Sequence, residues 1–267
     1  MALRWIFRAW CAAVLVFLLL PIAAIVPLSF SSGSFLSYPL PGWSLRWYAE
    51  VFGGEGKWLG ALVNSLRVGL AATALAVLLG TLAALGLARQ RGAGAALLKA
   101  LMLSPMIVPV ILIAVGSYFF LAPLGLTSSF SGLILAHTVI AVPFVVVPVL
   151  TALEGLDPTL ERAAAACGAP PLLAFGRVTL PAIAPAVASG ALFAFAASFD
   201  DVVIALLIAG PGQRTLPREM FSGLRDSITP ALTAVATVMI VGSTALFLGM
   251  LALQRRARRQ IQHQAGR

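Results

Sequence analysis

ERAAAACGAPPLLAFGRVTLP, residues 161–181, is a capped, Ala-rich interruption between two long apolar runs. Asp157-Pro158 just before it is a helix start, because an Asp side chain accepts the first backbone N–H groups and Pro suits the first turn. The pattern predicts a short helix over 158–167, with Glu161 in its favourable early turns and Gly168 as a left-handed terminator. Pro170-Pro171 begins a second short helix carrying Leu172, Leu173, Phe175 and Val178, and Leu180-Pro181 is expected to end it and turn the chain into the next apolar run. Small Ala side chains let another protein's surface approach closely. The segment therefore reads as a docking element rather than a passive interfacial loop.

The flanking sequence places this element in a membrane protein. The chain is 60% hydrophobic and only 10% charged, against roughly 25% charged residues in a soluble domain, and its mean hydropathy is +1.00. Apolar runs at 9–30, 58–88, 97–121, 131–153, 182–209 and 229–253 each approach or exceed the roughly 20 residues that cross a bilayer as a helix. They are continuous rather than alternating, which excludes barrel strands. The expected fold is all-α and polytopic, one domain over 1–267 with six transmembrane helices and the 154–181 loop between the fourth and fifth.

Lys and Arg set the orientation. With the N-terminus inside, the inner side holds Arg4, Arg8, Arg89, Arg91, Lys99, Arg162, Arg177, Arg255, Arg256, Arg258, Arg259 and Arg267. The outer side holds Arg46, Lys57, Arg67, Arg214, Arg218 and Arg225. Twelve against six of the 18 basic residues put both termini and the 161–181 segment in the cytoplasm. The net charge of +9 is then a topology signal. The tail Arg255-Arg-Ala-Arg-Arg259 reads as a stop-transfer anchor and not as a nucleic-acid site. Arg4 and Arg8 ahead of an apolar core imitate a signal peptide, but the core is long and Pro27-Leu-Ser-Phe-Ser is a poor cleavage site, so an uncleaved first span is expected.

Catalytic chemistry is absent from the pattern. The two His, His137 and His263, have no acidic or Cys cluster around them, and Cys11 and Cys167 have no metal-ligand spacing. No metal or cofactor is expected, and His137 reads as a packed, hydrogen-bonded residue within a span. Gly53-Gly-Glu-Gly-Lys57 imitates a phosphate loop, but Trp58 stands where a hydroxyl is needed. If ATP drives this protein, another subunit hydrolyses it. Trp43, Trp47 and Trp58 in or beside the outer loop 31–57 read as interfacial anchors. Pro105, Pro109, Pro143 and Pro148 are expected to kink their spans, as transporters tolerate where backbone lines a cavity.

Ser198-Phe-Asp200-Asp201 interrupts the apolar run 182–209, about 27 Å along it from Ala182 at 1.5 Å per residue. A carboxylate at membrane depth costs about 2.5–3.5 kcal/mol on the insertion scale, so this pair should face protein or water. Consecutive helix positions diverge by about 100°. One acid is expected to line a path, and the other to cap or pair with a neighbouring helix.

At this point the chain resembles a known family. The loop is similar to the EAA loop of ABC-importer permeases: Glu-Ala-Ala, three residues, Gly, nine residues, then Ile-x-Leu-Pro. Here Arg162-Ala163-Ala164 is followed by three residues, Gly168, nine residues and Val178-Thr-Leu180-Pro181. Arg162 stands where the family usually has Glu, and Glu161 precedes it. The resemblance extends over about 58–253 through Asn64-Ser-Leu66, Ser104-Pro-Met-Ile-Val-Pro109, His137 to Val147, Gly190 to Asp201 and Gly210 to Pro217. It is nearest to the second-permease type of spermidine/putrescine importers.

The resemblance implies a pathway shared with a second homologous permease, two ATP-binding subunits docked on 158–180, and an extracytoplasmic solute-binding protein delivering to loops 31–57 and 210–228. It implies coupling through Glu161, Arg162, Ala163, Ala164, Gly168, Leu180 and Pro181, with Asp200, Asp201 and Ser198 as pathway candidates. The implied setting is a bacterial inner membrane and the implied substrate a polyamine-like cation, with an aminophosphonate, ferric iron or thiamine as alternatives. An ion-coupled secondary transporter would need internal repeat symmetry and leaves the docking loop without a task.

Overall fold

The computed structural model describes residues 2–53, 56–226 and 228–265, and leaves aside the side chains of 2, 3, 226, 250 and 253–265. The side chains of the basic tail at 255–259 and of His263 therefore lie outside the described residues, as do Glu55 and Arg267. Twelve α-helices follow in order among the described residues: α1 (Ala2–Leu28), α2 (Arg46–Gly53), α3 (Lys57–Ala88), α4 (Ala93–Leu103), α5 (Val110–Leu121), α6 (Phe130–Glu154), α7 (Pro158–Ala166), α8 (Pro171–Ala174), α9 (Leu180–Phe199), α10 (Val203–Ile208), α11 (Leu216–Asp226) and α12 (Pro230–Ala265). No strand occurs among the described residues, only an isolated bridge between Ser31 and Trp43.

Five helical stretches are long and apolar enough to cross a membrane, and a sixth arises if one bent pair counts as a span. The bent pair turns the expected kink in the span over 97–121 into a full break. Ala93–Met106 and Val110–Leu121 meet at 103°, because Pro109 sits at φ −53° and ψ 130° and lacks the N–H that would carry a helix through. The two prolines inside α6, Pro143 and Pro148, leave that helix unbroken.

Two further expectations fail around the fifth apolar run. Leu180-Pro181 does not end a helix: a continuous helical stretch runs from Pro171 to Phe199. Its residues Phe175–Thr179 form a π turn in which the Leu180 N–H bonds the Phe175 carbonyl. That wider turn accommodates the ring and missing donor of Pro181, which would strain a regular α-helix. At the far end the run does not continue to 209. It stops at Phe199, and α10 starts separately at Val203.

Contacts divide the chain into two compact units, residues 1–61 with 219–245, and residues 62–218 with 246–267. In the first, Tyr48 Oη and Ser29 Oγ lie 2.7 Å apart and the Trp47 indole N–H donates to the Ser31 carbonyl at 2.9 Å. There the buried Glu219 carboxylate is paired with Lys57 Nζ at 2.7 Å. Trp47 is buried whereas Trp43 is 72% exposed, so the aromatic residues of the 31–57 loop do not act alike.

In the second unit α6 and α9 pack closely through glycine. A Cβ at Gly190 of α9 would lie 2.9 Å from Val145 Cα and 3.1 Å from the Phe144 carbonyl oxygen, and one at Gly80 of α3 would lie 2.9 Å from Val145 Cβ. Small residues let membrane helices approach to backbone contact, where dispersion replaces the weak hydrophobic drive of a lipid environment. Val145, Val149, Ile183 and Ala194 fill this core. A second core joins Val68, Ala114, Leu133, Ala136, Ile204 and Ile208, and so seats α5 and α10 against α6.

Candidate functional site

The 154–181 loop is built by local chemistry. The Thr159 N–H donates to Asp157 Oδ1 at 2.9 Å, and Pro158 occupies the first turn. Hydrogen bonds from Thr159 hold the Asp157 carboxyl below its ordinary pKa, since they favour the charged form. At the other end Gly168 has φ +81°. Its N–H donates to the Ala165 carbonyl at 2.9 Å and the Ala169 N–H to the Ala164 carbonyl at 3.1 Å, the paired bonds of a Schellman terminus.

One side of α7 faces the protein. Glu161 Oε1 accepts the Thr179 hydroxyl at 2.7 Å, and Oε2 lies 3.7 Å from Arg89 at the end of α3. The opposite side, Thr159, Arg162, Ala163 and Ala166, is exposed, as the i, i+3, i+4, i+7 helix spacing requires. Leu172 is 86% exposed beside it. A second exposed pair, Lys99 and Glu154 at 3.4 Å, joins α4 to the end of α6.

The acidic pair occupies the joint between α9 and α10. Asp201 Oδ2 accepts the Ile204 N–H at 2.8 Å and starts α10, with its side chain 6% exposed. Asp200 is exposed. The buried side of α9, Ile183, Gly190, Ala194 and Ser198, faces α6, while Ala184, Ala188, Ala196 and Asp200 lie on the opposite, more open side. The two carboxylates thus differ in surroundings although adjacent in sequence. His137 of α6 is fully buried beside them. Its Nδ1 is 2.9 Å from Ser198 Oγ and its Nε2 3.8 Å from Asp201 Oδ2.

The segment following α10 is fastened to α3 and to α10 itself. Asn64 Nδ2 donates to the carbonyls of Gly212 and Arg214 at 3.2 and 3.0 Å, and the Leu216 N–H donates to Ser65 Oγ at 2.8 Å. Arg218 Nη1 donates to the carbonyls of Ala209, the residue that ends α10, and of Gly210 just beyond it, at 2.6 and 3.1 Å.

Residues 76–259 match the family described as binding-protein-dependent transport system inner membrane component. The chain belongs to this family. It is 32% identical to the spermidine/putrescine transport system permease protein PotC of Haemophilus influenzae over 90% of this chain and 92% of that protein. It is 34% identical to the putrescine transport system permease protein PotI of Escherichia coli, over 91% and 90%. A crystal structure of a bacterial ABC transporter that imports alginate has the same fold, with a TM-score of 0.71 at 16% identity over 95% of this chain and 96% of that one.

The protein is therefore a permease subunit of an ABC importer. In this permease the loop residues Glu161, Arg162, Ala163, Ala164 and Gly168 share α7 and its terminus, while Leu180 and Pro181 lie inside the following helix. Ser198, Asp200 and Asp201 come together at the α9–α10 joint, separate from that loop along the chain. Sequence reasoning missed the Glu161–Thr179–Arg89 tie, the fastening by Asn64 and Ser65, and the contact of Arg218 with the chain just past α10. Polar residues at the ends of apolar runs were their only signal.

Proposed function

We propose that this permease forms half of the translocation pathway of an ATP-driven importer for a polyamine-like cation such as spermidine or putrescine. A second homologous permease supplies the other half, two cytoplasmic ATP-binding subunits hydrolyse ATP, and an extracytoplasmic solute-binding protein delivers the substrate. Residues 1–267 act as one transmembrane domain with both termini in the cytoplasm, a reading supported by the excess of Lys and Arg on that side.

The exposed side of α7 suits an ATPase cleft. Ala163 and Ala166 permit close approach, Gly168 ends the helix where the partner would grip it, and Arg162 supplies a cationic contact. Glu161 is committed to Thr179 and Arg89 and braces the docking helix from within. Leu180 and Pro181 couple it directly to α9.

The exposed carboxylate of Asp200, on the open side of α9, carries the cation reading. A lipid-facing carboxylate at this depth is costly, whereas an ammonium passing through a water-filled path would be attracted to it. Asp201, buried and capping α10, serves the shape of the path and Ser198 its packing. The names of the similar spermidine/putrescine and putrescine permeases support the same substrate class.

The experiment is uptake of labelled putrescine and spermidine by the complete importer in membrane vesicles, with Asp200→Asn compared with the native chain at equal protein level. Saturable uptake that Asp200→Asn lowers about tenfold, the scale of one charge-assisted contact, supports the reading. Transport of an aminophosphonate, ferric iron or thiamine in place of both amines would overturn it.

A further inference from the structure

The α9–α10 joint contains a buried histidine that the transport reading leaves without a task. His137 comes from α6, and its two ring nitrogens face opposite sides of the chain break. Nδ1 is 2.9 Å from Ser198 Oγ in the last turn of α9, and Nε2 is 3.8 Å from Asp201 Oδ2, the atom that starts α10. Nε2 is buried and makes no hydrogen bond among the described residues. Between the two held residues the chain passes through Phe199 and Asp200, and Asp200 is the exposed one.

We infer that His137 is a positioning residue that sets the place of Asp200 in the pathway without touching the solute. This inference rests on the reading that Asp200 lines the path. The reason is mechanical and electrostatic together. Asp200 is the C-cap of α9, its N–H donating to the Ala196 carbonyl at 3.0 Å, and neither helix extends through Asp201 and Val202, so the helix ladder that holds Asp200 ends at that residue. Ser198 and Asp201 flank this break, one at each helix end, and both meet the same imidazole of a third element. His137 Nδ1 and Ser198 Oγ share a hydrogen bond, and Nε2 packs 3.8 Å from Asp201 Oδ2, the atom that accepts the Ile204 N–H.

His137 is itself rigidly seated. It lies one turn from Leu133 and next to Ala136, residues of the core that includes Ile204, Ala205 and Ile208 of α10. A displacement of α6 against α10 would thus change the Nε2–Oδ2 separation, and with it the aim of Asp200.

Two readouts test this, both in the complete importer in membranes. The first is the KM and maximal rate of polyamine uptake for His137→Leu, His137→Asn and Ser198→Ala. His137→Leu should raise KM about tenfold, the scale of losing one buried hydrogen bond and its polar contact, with smaller change in maximal rate. His137→Asn keeps a polar group at the Nδ1 position and should recover most of the loss. Ser198→Ala combined with His137→Leu should add little to His137→Leu alone, because both act through one contact.

The second readout is independent of the substrate. D200C is introduced with Cys11 and Cys167 replaced by Ser, and the rate at which a membrane-impermeant thiosulfonate labels it is measured with and without His137→Leu. A severalfold change in labelling supports the inference. Unchanged labelling together with a KM within twofold of the native value overturns it. Should His137→Leu fail to accumulate, His137→Asn and Ser198→Ala carry the same two measurements, and native values in both overturn the inference. If the native importer moves no polyamine, the substrate reading falls while the labelling comparison still decides the role of His137.

Discussion

Two aspartates start helices in this permease, Asp157 before α7 and Asp201 before α10, and they do so in opposite surroundings. Asp157 receives the Thr159 N–H on an exposed surface. Asp201 receives the Ile204 N–H with its side chain 6% exposed, and has His137 Nε2 3.8 Å away. In water an orphan N–H that loses its cap finds solvent. In a buried joint it does not, and a carboxylate placed there needs further polar company. The same capping chemistry therefore matters less at the exposed helix start than at the buried one.

The largest effect is expected at the buried cap. Asp201→Ala leaves the buried Ile204 N–H without its side-chain acceptor and should destabilise the joint by about 1–3 kcal/mol. The measurement is the detergent-resistant amount of assembled importer, together with uptake. Normal assembly in this variant would break the comparison, because the buried cap would then be no more demanding than the exposed one.

Next comes Gly168→Val. Gly168 has φ +81° and open space around the point where a Cβ would stand, so the cost is conformational strain of about 1–3 kcal/mol rather than a clash. Because α7 is a surface element, the protein should still accumulate while ATPase copurification and transport fall. Full copurification and transport would remove the docking role of α7.

Glu161→Ala should act more weakly. It removes the Thr179 hydrogen bond and an exposed contact to Arg89, together about 1 kcal/mol. ATP hydrolysis without matching uptake is the expected signature, measured as the ratio of the two rates. A ratio equal to that of the native importer would exclude Glu161 as a brace.

The smallest effect belongs to Asp157→Asn, since Asn caps about as well as Asp. Accumulation and transport should stay at native values at neutral pH. Acidification provides a sharper contrast: the Asp157 pKa is lowered in the folded protein, so its contribution is complete above the ordinary carboxylate pKa and is lost as pH falls through the lowered value. The Asn variant should lack that acid dependence, as read by thermal unfolding of the complex against pH.

Much of the 154–181 loop was legible in the residues themselves. Asp157, Pro158 and Gly168 act on neighbours within a few positions, so a capped helix with a left-handed end can be read without knowing what surrounds it. Leu180-Pro181 misled because a π turn absorbed the proline, an adjustment that depends on how the rest of the helix is held. The break at Pro109 was foreshadowed only as a kink, and its 103° bend reflects the seating of α5 against α10.

The sequence by itself determined that the chain is a bundle of membrane helices, which alternate loops carry the basic excess, and where a structured loop interrupts it. Apolar length, charge bias and capping are local or additive properties that need no partner to be counted. Only the tertiary structure decided which of Asp200 and Asp201 is exposed and which starts α10, and that His137 meets Ser198 and Asp201 across more than 60 positions of chain. That outcome depends on Gly80 and Gly190 letting α3 and α9 close on Val145 of α6, a packing among distant segments that no stretch of sequence contains.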